Sequence, residues 1–373
     1  MPTIVYDHQI FWRQKYGGIS RYIYEVAIKL AEKDDFKVKI LALAYANEYL
    51  KDCQKNLVVG LSVPRFPGIQ IQKIIGKIND NLAKNWLKNN TPDLVHETYY
   101  HPERLAPKNS KIVVTVHDMI HEKLSQFVRR EMFGIDKTSE LKKQAIIRAD
   151  KIICVSENTK KDLIEIFDIN PDRVDVVYHG PSLQLPTNSQ LNLQKFQPYI
   201  LYVGERISGH KNFRLFLQAY ANSAQLKKNF NLVCFGGSSL SKEELELIHE
   251  LGLSKEKIFQ VSGNDITLAN FYRGASIFVY PSLYEGFGIP LLEAMSLDCP
   301  IACSNTSSLP EVVGNAAEFF HPEQPESITN AIENVLFSSD KSTELVKLAR
   351  EQIKKFSWEK AAQETKEVYL SLL

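Results

Sequence analysis

The sequence predicts an α/β chain of two doubly wound, Rossmann-like domains, and three observations predict it. Short apolar runs alternate with helical patterns through almost the whole length, and strands separated by helices of roughly 10–15 residues imply βαβ units and parallel sheets. With 373 residues, the chain exceeds the roughly 250–300 at which one core usually gives way to two. The alternation lapses once, at 180–198, where Pro181, Pro186 and Pro198 stand among polar residues without periodicity, as a linker would.

In chain order, the strand candidates of the first half are 3–6, 37–42, 94–96, 111–116 and 151–155. Those of the second are 199–203, 231–235, 257–261, 276–280 and 300–303. Helical patterns fall at 21–31, 138–148, 159–167, 213–221 and 242–251. The expected boundaries are a first domain at 1–182, a linker at 183–196 and a second domain at 197–355. Residues 356–373 read as one amphipathic helix capped by Ser357. Ligands of open parallel sheets bind at the carboxyl ends of the strands. Two such sheets facing each other across a cleft therefore place an active site in the cleft.

Composition narrows the function. A formal charge of +1 gives no general attraction for nucleic acid, so none is expected as a partner. Five scattered cysteines are an odd number in a large chain, which argues for a reducing compartment and against a disulfide framework. Cys299 and Cys303 lack a second pair of ligands to complete a zinc set and read as core residues. The start, Met1 to Asp7, has neither the basic opening nor the apolar stretch of a signal peptide. No run of about 18 apolar residues spans a membrane. The expectation is a cytoplasmic protein, free or peripheral at the inner face of the cell membrane.

The most informative run is Tyr280 to Met295. Glu285 and Glu293 flank Gly286, Phe287, Gly288 and Ile289, and Pro290 opens a helix just after a short apolar strand. A strand, a glycine-bearing loop and a helix start can present backbone N–H groups to an anion, with two carboxylates to grip sugar hydroxyls around it. The plainer reading is a loop carboxylate plus one that complements a helix dipole. A second run, Tyr202 to Asn212, follows a strand with Gly204 and then Arg206 and Lys211 before a helix. Two fixed cations there suit the charge that a nucleoside diphosphate develops on leaving; a solvated basic turn is the alternative.

Three weaker signals accompany these. Gly17 and Gly18 open a helix after the first strand, either to admit a phosphate or simply to turn the chain. His117 and Asp118 end a strand, where a histidine can contact a sugar hydroxyl or serve only the structure. The polar stretch from Ser304 to Glu311 offers hydroxyls to a diphosphate or ribose, or forms an ordinary capped turn. Residues 65–88 carry Lys73, Lys77, Lys84 and Lys88 on one helical stripe among Ile71, Ile74, Ile75, Ile78 and Leu82. That segment reads either as a membrane-surface helix or as a helix on a sheet with a solvated lysine face. No Asp-x-Asp metal clamp, P-loop or Gly-x-Ser-x-Gly elbow occurs, so no metal or cofactor is expected.

Together these runs resemble the retaining glycosyltransferases of family 4, and especially their bacterial mannosyltransferase-like branch. The matching stretches are 17–22, 114–118, 149–160, 202–212, 280–295 and 304–314, with 356–360 similar to the family's last helix. The resemblance implies the GT-B fold, with that helix crossing back to the first domain. It implies a nucleotide-sugar donor (GDP- or UDP-hexose) and a saccharide or lipid-linked acceptor, with the first domain binding the acceptor and the second the donor. By the same resemblance Glu285 holds the donor sugar, Glu293 the ribose, and Arg206 and Lys211 the diphosphate. His117 lies near the transferred sugar; Gly17, Gly18, Gly204, Gly286, Phe287, Gly288 and Ile289 line the donor, with Asp118 and Ser304 as further contacts. The leading reading is transfer of a hexose, mannose from GDP-mannose, to a growing saccharide; its rivals are a UDP-sugar donor, a nucleotide-sugar epimerase on a similar scaffold, and a non-catalytic nucleotide-sugar binder.

Overall fold

The computed structural model describes the chain except residues 34, 52, 54, 55, 65–68, 126–136, 184, 187, 188 and 190, and gives the backbone alone at 69, 70, 72 and 73. Part of the expected linker and the Lys73 side chain therefore lie outside the described residues. The chain forms two compact units. Met1–Glu122, 137–180 and Ser357–Leu373 make one; Pro181–Phe356 together with 123–125 makes the other.

The first unit is built on a parallel sheet in the order β3-β2-β1-β4-β5-β6-β7. Its strands are β1 (Thr3–Tyr6), β2 (Lys37–Tyr45), β3 (Val58–Ser62), β4 (Leu94–Glu97), β5 (Lys111–Val116), β6 (Lys151–Cys154) and β7 (Val174–Val176). Central strands have to be apolar on both faces because helices cover each side, and Ile4, Val5, Tyr6, Val113 and Val114 are fully buried. The edge strands β3 and β7 add to the ten expected. Strand β3 is largely exposed and interrupted by Gly60, and β7 has only three residues, so neither leaves an apolar run to read.

The second sheet is also parallel, in the order β10-β9-β8-β11-β12-β13. It comprises β8 (Tyr199–Val203), β9 (Asn231–Phe235), β10 (Ile258–Val261), β11 (Ile277–Tyr280), β12 (Ile301–Ser304) and β13 (Glu318–Phe320). Strand β12 is thus not the last of this half. The short β13 begins with a glutamate at the edge and carries no sequence signal of its own. Helix starts follow local chemistry: Ser156 accepts from the Thr159 amide, and Ser241 and Glu244 close a capping box.

The closing helix Trp358–Leu370 is capped by Ser357, whose hydroxyl accepts from the Lys360 amide. Its buried face, Trp358, Ala361, Ala362, Thr365, Val368 and Tyr369, joins Tyr6, Ile23 and Ala27 in the core of the first unit. A buried polar chain fixes the helix axially. The Tyr369 hydroxyl donates to Tyr6 Oη at 2.8 Å, which leaves His96 Nδ1–H to donate to Tyr369 at 2.5 Å and Nε2 to accept from Thr115 Oγ1 at 2.8 Å. Burial and, secondarily, His117 push the His96 imidazole down to about 3, so the neutral ring this tautomer requires persists at neutral pH. Tyr369→Phe leaves His96 Nδ1 unsatisfied in the core. It should lower stability by about 1–3 kcal/mol, read as a shifted urea midpoint.

Candidate active site

Strands β8 and β11 are neighbours in the second sheet, with Ile200 opposite Ile277 and Leu201 opposite Phe278. They mark the point where strand order reverses, and the loops leaving their carboxyl ends open the crevice where such sheets bind ligands. Gly204 ends β8 at φ +138°, a conformation L side chains rarely adopt. The chain then makes a 3-10 turn at Gly209–Lys211, and Asn212, left-handed at φ 57°, caps the helix Phe213–Asn222.

Three bonds stitch this loop to its neighbours. The Asn212 amide donates to the carbonyls of Pro281 at 3.0 Å and Pro322 at 2.7 Å, and Leu283 N–H donates to His210 O at 2.7 Å. Lys211 is thereby held over the β11 loop. Its Nζ lies 2.6 Å from Glu285 Oε1 and donates to Tyr280 Oη at 3.2 Å. Burial alone would raise the Glu285 carboxyl, but the Lys211 charge, helped by His210 and hydrogen bonds, outweighs it and the net shift is downward. The Glu285 backbone is pinned as well: its N–H donates to Ser307 Oγ at 3.0 Å, and the Ser308 hydroxyl donates to the carbonyls of Glu285 at 3.0 Å and Phe287 at 2.9 Å.

Gly288 and Pro290 start the helix Ile289–Ser296 that carries Glu293. Glu293 is buried and accepts from the Tyr272 hydroxyl at 3.1 Å. The chain through Gly286 to Ile289 joins the two carboxylates, but the Phe287 ring packs against Phe356, with centroids 6.0 Å apart. Ser304 is the last residue of β12, fully buried, with its hydroxyl donating to Tyr280 O at 3.4 Å. It ties two strands together rather than standing in a polar loop.

Arg206 is placed differently from Lys211. Its Nε donates to Glu244 Oε1 at 2.8 Å and its Nη1 to Gly236 O at 2.9 Å, while Nη2 donates to Ser238 O. The same Glu244 accepts from the Ser241 amide at 2.7 Å, so a helix cap positions the guanidinium. Of its five N–H groups, three are engaged by these partners and two remain. The structure therefore brings Lys211 and Glu285 into contact and stations Arg206 on the neighbouring β9 loop.

The remaining candidates belong to the first unit. His117 follows β5 and is buried edge-on to Tyr22, with ring centroids 5.7 Å apart; Tyr22 in turn stacks on His179 at 4.6 Å. Burial brings the His117 imidazole down to about 4, Lys142 adding to this and Asp118 opposing it. Asp118 caps the next turn, accepting from Ile120 N–H at 3.1 Å. Gly17 caps the helix Gly18–Ala31. A Cβ there would meet Gln14 Oε1 at 2.3 Å, and that oxygen accepts from Ser20 N–H at 3.1 Å. Gly17 thus makes room for a side chain that already satisfies one amide of the helix start.

Several supporting residues gave no sequence signal. Lys142 is fully buried, 2.7 Å from Glu122 Oε2, and donates to Asp118 O at 2.8 Å, which holds the turn after His117. Arg148 grips Glu97 through two bonds, at 3.0 and 2.7 Å. Both cations lie on the helix Thr138–Arg148, of which the sequence showed only the helical pattern. Glu244 was legible only as a capping residue, in the Ser-x-x-Glu spacing from Ser241. Among the described residues no group of three or more His, Cys, Asp and Glu side chains is arranged to hold a metal.

Comparison with known proteins bears directly on this arrangement. Residues 16–185 match the family described as "Glycosyltransferase Family 4" and residues 187–352 match "Glycosyl transferases group 1". The O-antigen chain mannosyltransferase B of Escherichia coli is 31% identical over 303 residues, covering 76% of each chain. The chain belongs to glycosyltransferase family 4.

Other relatives of this family 4 glycosyltransferase include the serotype-specific mannosyltransferase WbdA of Escherichia coli, 30% identical over 282 residues, of which the match covers 70% of this chain but 34% of WbdA. Among solved structures, sucrose-phosphate synthase from Thermosynechococcus elongatus has a TM-score of 0.79 at 20% identity, covering 100% of this chain and 99% of that one. The glycosyltransferase WaaG, involved in lipopolysaccharide biosynthesis, gives 0.71 at 17% identity, covering 98% and 99%. These likenesses show the fold, GT-B, with two Rossmann-like domains.

In this glycosyltransferase, the Lys211–Glu285 pair sets a pH signature. Because the folded-state carboxyl lies below its ordinary value of 4.5, the pair's contribution to stability is complete above that value and declines as pH falls toward the folded-state one. The stability advantage of the wild type over Glu285→Gln should therefore shrink on acidification. Urea midpoints measured across the acid range test this, and an advantage that stays constant there contradicts it.

Proposed function

We propose that this glycosyltransferase moves a hexose, mannose from GDP-mannose, to a saccharide or lipid-linked saccharide, with retention and without a metal ion. The observation that carries the reading is the Lys211–Glu285 contact of 2.6 Å on loops leaving two adjacent strand ends. A fixed cation there answers the charge of a departing diphosphate, and the carboxylate beside it accepts hydrogen bonds from sugar hydroxyls. The mannosyl assignment is supported by the two relatives named as mannosyltransferases.

In this proposal the acceptor hydroxyl attacks the anomeric carbon from the face the diphosphate leaves. The new C–O bond forms as the bond to the phosphate oxygen breaks, and the hydroxyl proton passes to that oxygen. Lys211 and the two remaining N–H groups of Arg206 take up the negative charge, Glu285 positions the sugar and Glu293 the ribose. From the first unit, the acceptor-binding part in this reading, His117, Gly17 and Gly18 contribute to donor binding. Neutral His117 donates or accepts a hydrogen bond and adds no charge. Five scattered cysteines, an odd number in a large chain, support a cytoplasmic setting.

A second donor reading, a UDP-hexose, draws on HepE from Anabaena, solved with UDP and glucose. That chain has a TM-score of 0.73 at 16% identity and full coverage of both chains. Thermal-shift titration separates the two: the larger stabilisation should come from GDP, and a larger one from UDP reverses the donor assignment. Lys211→Ala should lower the transfer rate by on the order of 10²–10³-fold, as for one lost oxyanion donor, in a radiolabelled-mannose assay. Activity should also survive excess chelator, and its loss with recovery on adding a divalent ion contradicts the metal-free step.

A further inference from the structure

We infer that the helix Ile69–Asn90 is a docking surface for an anionic lipid bilayer, a proposal that goes beyond sugar transfer and does not depend on it. Ile71, Ile74, Ile78 and Leu82 stand at 45%, 59%, 49% and 48% exposure. Their spacing of three or four residues puts them on one stripe of the helix. Lys77, Lys84 and Lys88 run along one flank of that stripe, all exposed. No helix among the described residues is long and apolar enough to cross a membrane, so such a surface lies on a bilayer rather than through it.

The outward orientation is built in. On the opposite face the Asn79 side chain is fully buried and pairs both ways with Ala44, accepting from its N–H and donating to its carbonyl, each at 2.9 Å. One residue on, Asp80 Oδ1 lies 2.9 Å from His8 Nε2 and 3.4 Å from His101 Nε2, while Ala83 and Leu87 are fully buried. Rolling the helix to hide its isoleucines would break every one of these contacts. Asp80 is also the helix's one acidic residue and both histidines hold it; Glu103 approaches Lys84 from outside the helix at 3.5 Å, so Lys77 and Lys88 carry the charge of the outer face. Strand β3 extends the apolar area: Leu61 is 75% exposed and lies in register with Ala44, the residue that Asn79 clamps.

Charge complementarity selects the bilayer among possible occupants. Lysine is depleted at protein interfaces, and a second copy packed isologously would bring like cations together. Anionic headgroups beside an acyl boundary instead match a lysine row beside an isoleucine stripe. With a formal charge of +1 for the whole chain, the attraction is a property of this face.

The test is co-sedimentation of the full chain with vesicles of phosphatidylcholine alone and of phosphatidylcholine mixed with phosphatidylglycerol. The chain should bind the mixed vesicles, release them on raising salt, and leave the neutral ones in solution. Ile74→Ser/Ile78→Ser and Lys77→Glu/Lys88→Glu, all at exposed positions, should each weaken binding by about tenfold or more with an unchanged melting temperature. Absent binding, equal binding to both vesicle types or unaffected variants overturn the proposal. So does a change of oligomeric state in the isoleucine variant without loss of vesicle binding. Transfer to a water-soluble acceptor, assayed in parallel, keeps the two readings apart: loss of docking with transfer intact defeats this inference alone.

Discussion

The second unit depends on β8 and β11 lying side by side although some seventy residues separate them in sequence. After β9 and β10 are laid down on one side of β8, the next crossover passes back over them and adds β11 on the other side. Where the winding reverses, two loops leave neighbouring strand ends with no helix between them. Lys211 from one and Glu285 from the other meet there at 2.6 Å. Neither residue is placed by its own segment alone. The Asn212 bonds to Pro281 and Pro322 and the Leu283–His210 bond set the distance between loops, and the ion pair forms within it.

Desolvation gives that contact its weight. In water two opposite charges at this separation gain little, because solvent screens them and side-chain entropy opposes the pairing. Here Glu285 keeps 11% and Lys211 20% of side-chain exposure, and hydroxyls of Tyr280 and Ser307 hold the surrounding backbone and amine. The carboxylate stays ionised against burial because the cation is fixed in place. Arg206 follows a different logic. A guanidinium gripped by Glu244 and two carbonyls is held in one orientation, so in the proposed reaction it would meet the diphosphate without reorganising.

Much of this was legible in the sequence, for identifiable reasons. Parallel strands covered on both faces leave continuous apolar runs, so the central strands of both sheets read nearly to the residue, as did the helix Thr138–Arg148 and the Ser357 cap. Strands β3, β7 and β13 did not, since an edge strand needs only one buried side and two of these are three residues long. The loop motifs located Lys211, Glu285 and Glu293 because glycine, proline and charge are dense there. Sequence spacing is silent about what a long side chain reaches. Lys142, which the helical pattern of 138–148 did not single out, is wholly buried against Glu122, and Arg206 is engaged by a helix cap thirty-eight residues away.

The two sheets solve the same geometric problem with different chemistry. In the first unit the reversal lies between β1 and β4, where the Asp7 carboxylate accepts from the Thr98 amide at 3.0 Å and from Gln9 Nε2 at 2.7 Å. That carboxylate is wholly occupied with closing its own loops, through neutral donors and without a cation. In the second unit the same position holds a charged pair, Lys211 and Glu285, 2.6 Å apart. A site for a charged ligand needs groups already desolvated and oriented yet still able to bond. By that criterion the proposed donor site falls at the reversal point of the second sheet rather than that of the first. The asymmetry between the units is therefore written into the side chains at equivalent places in two otherwise similar sheets.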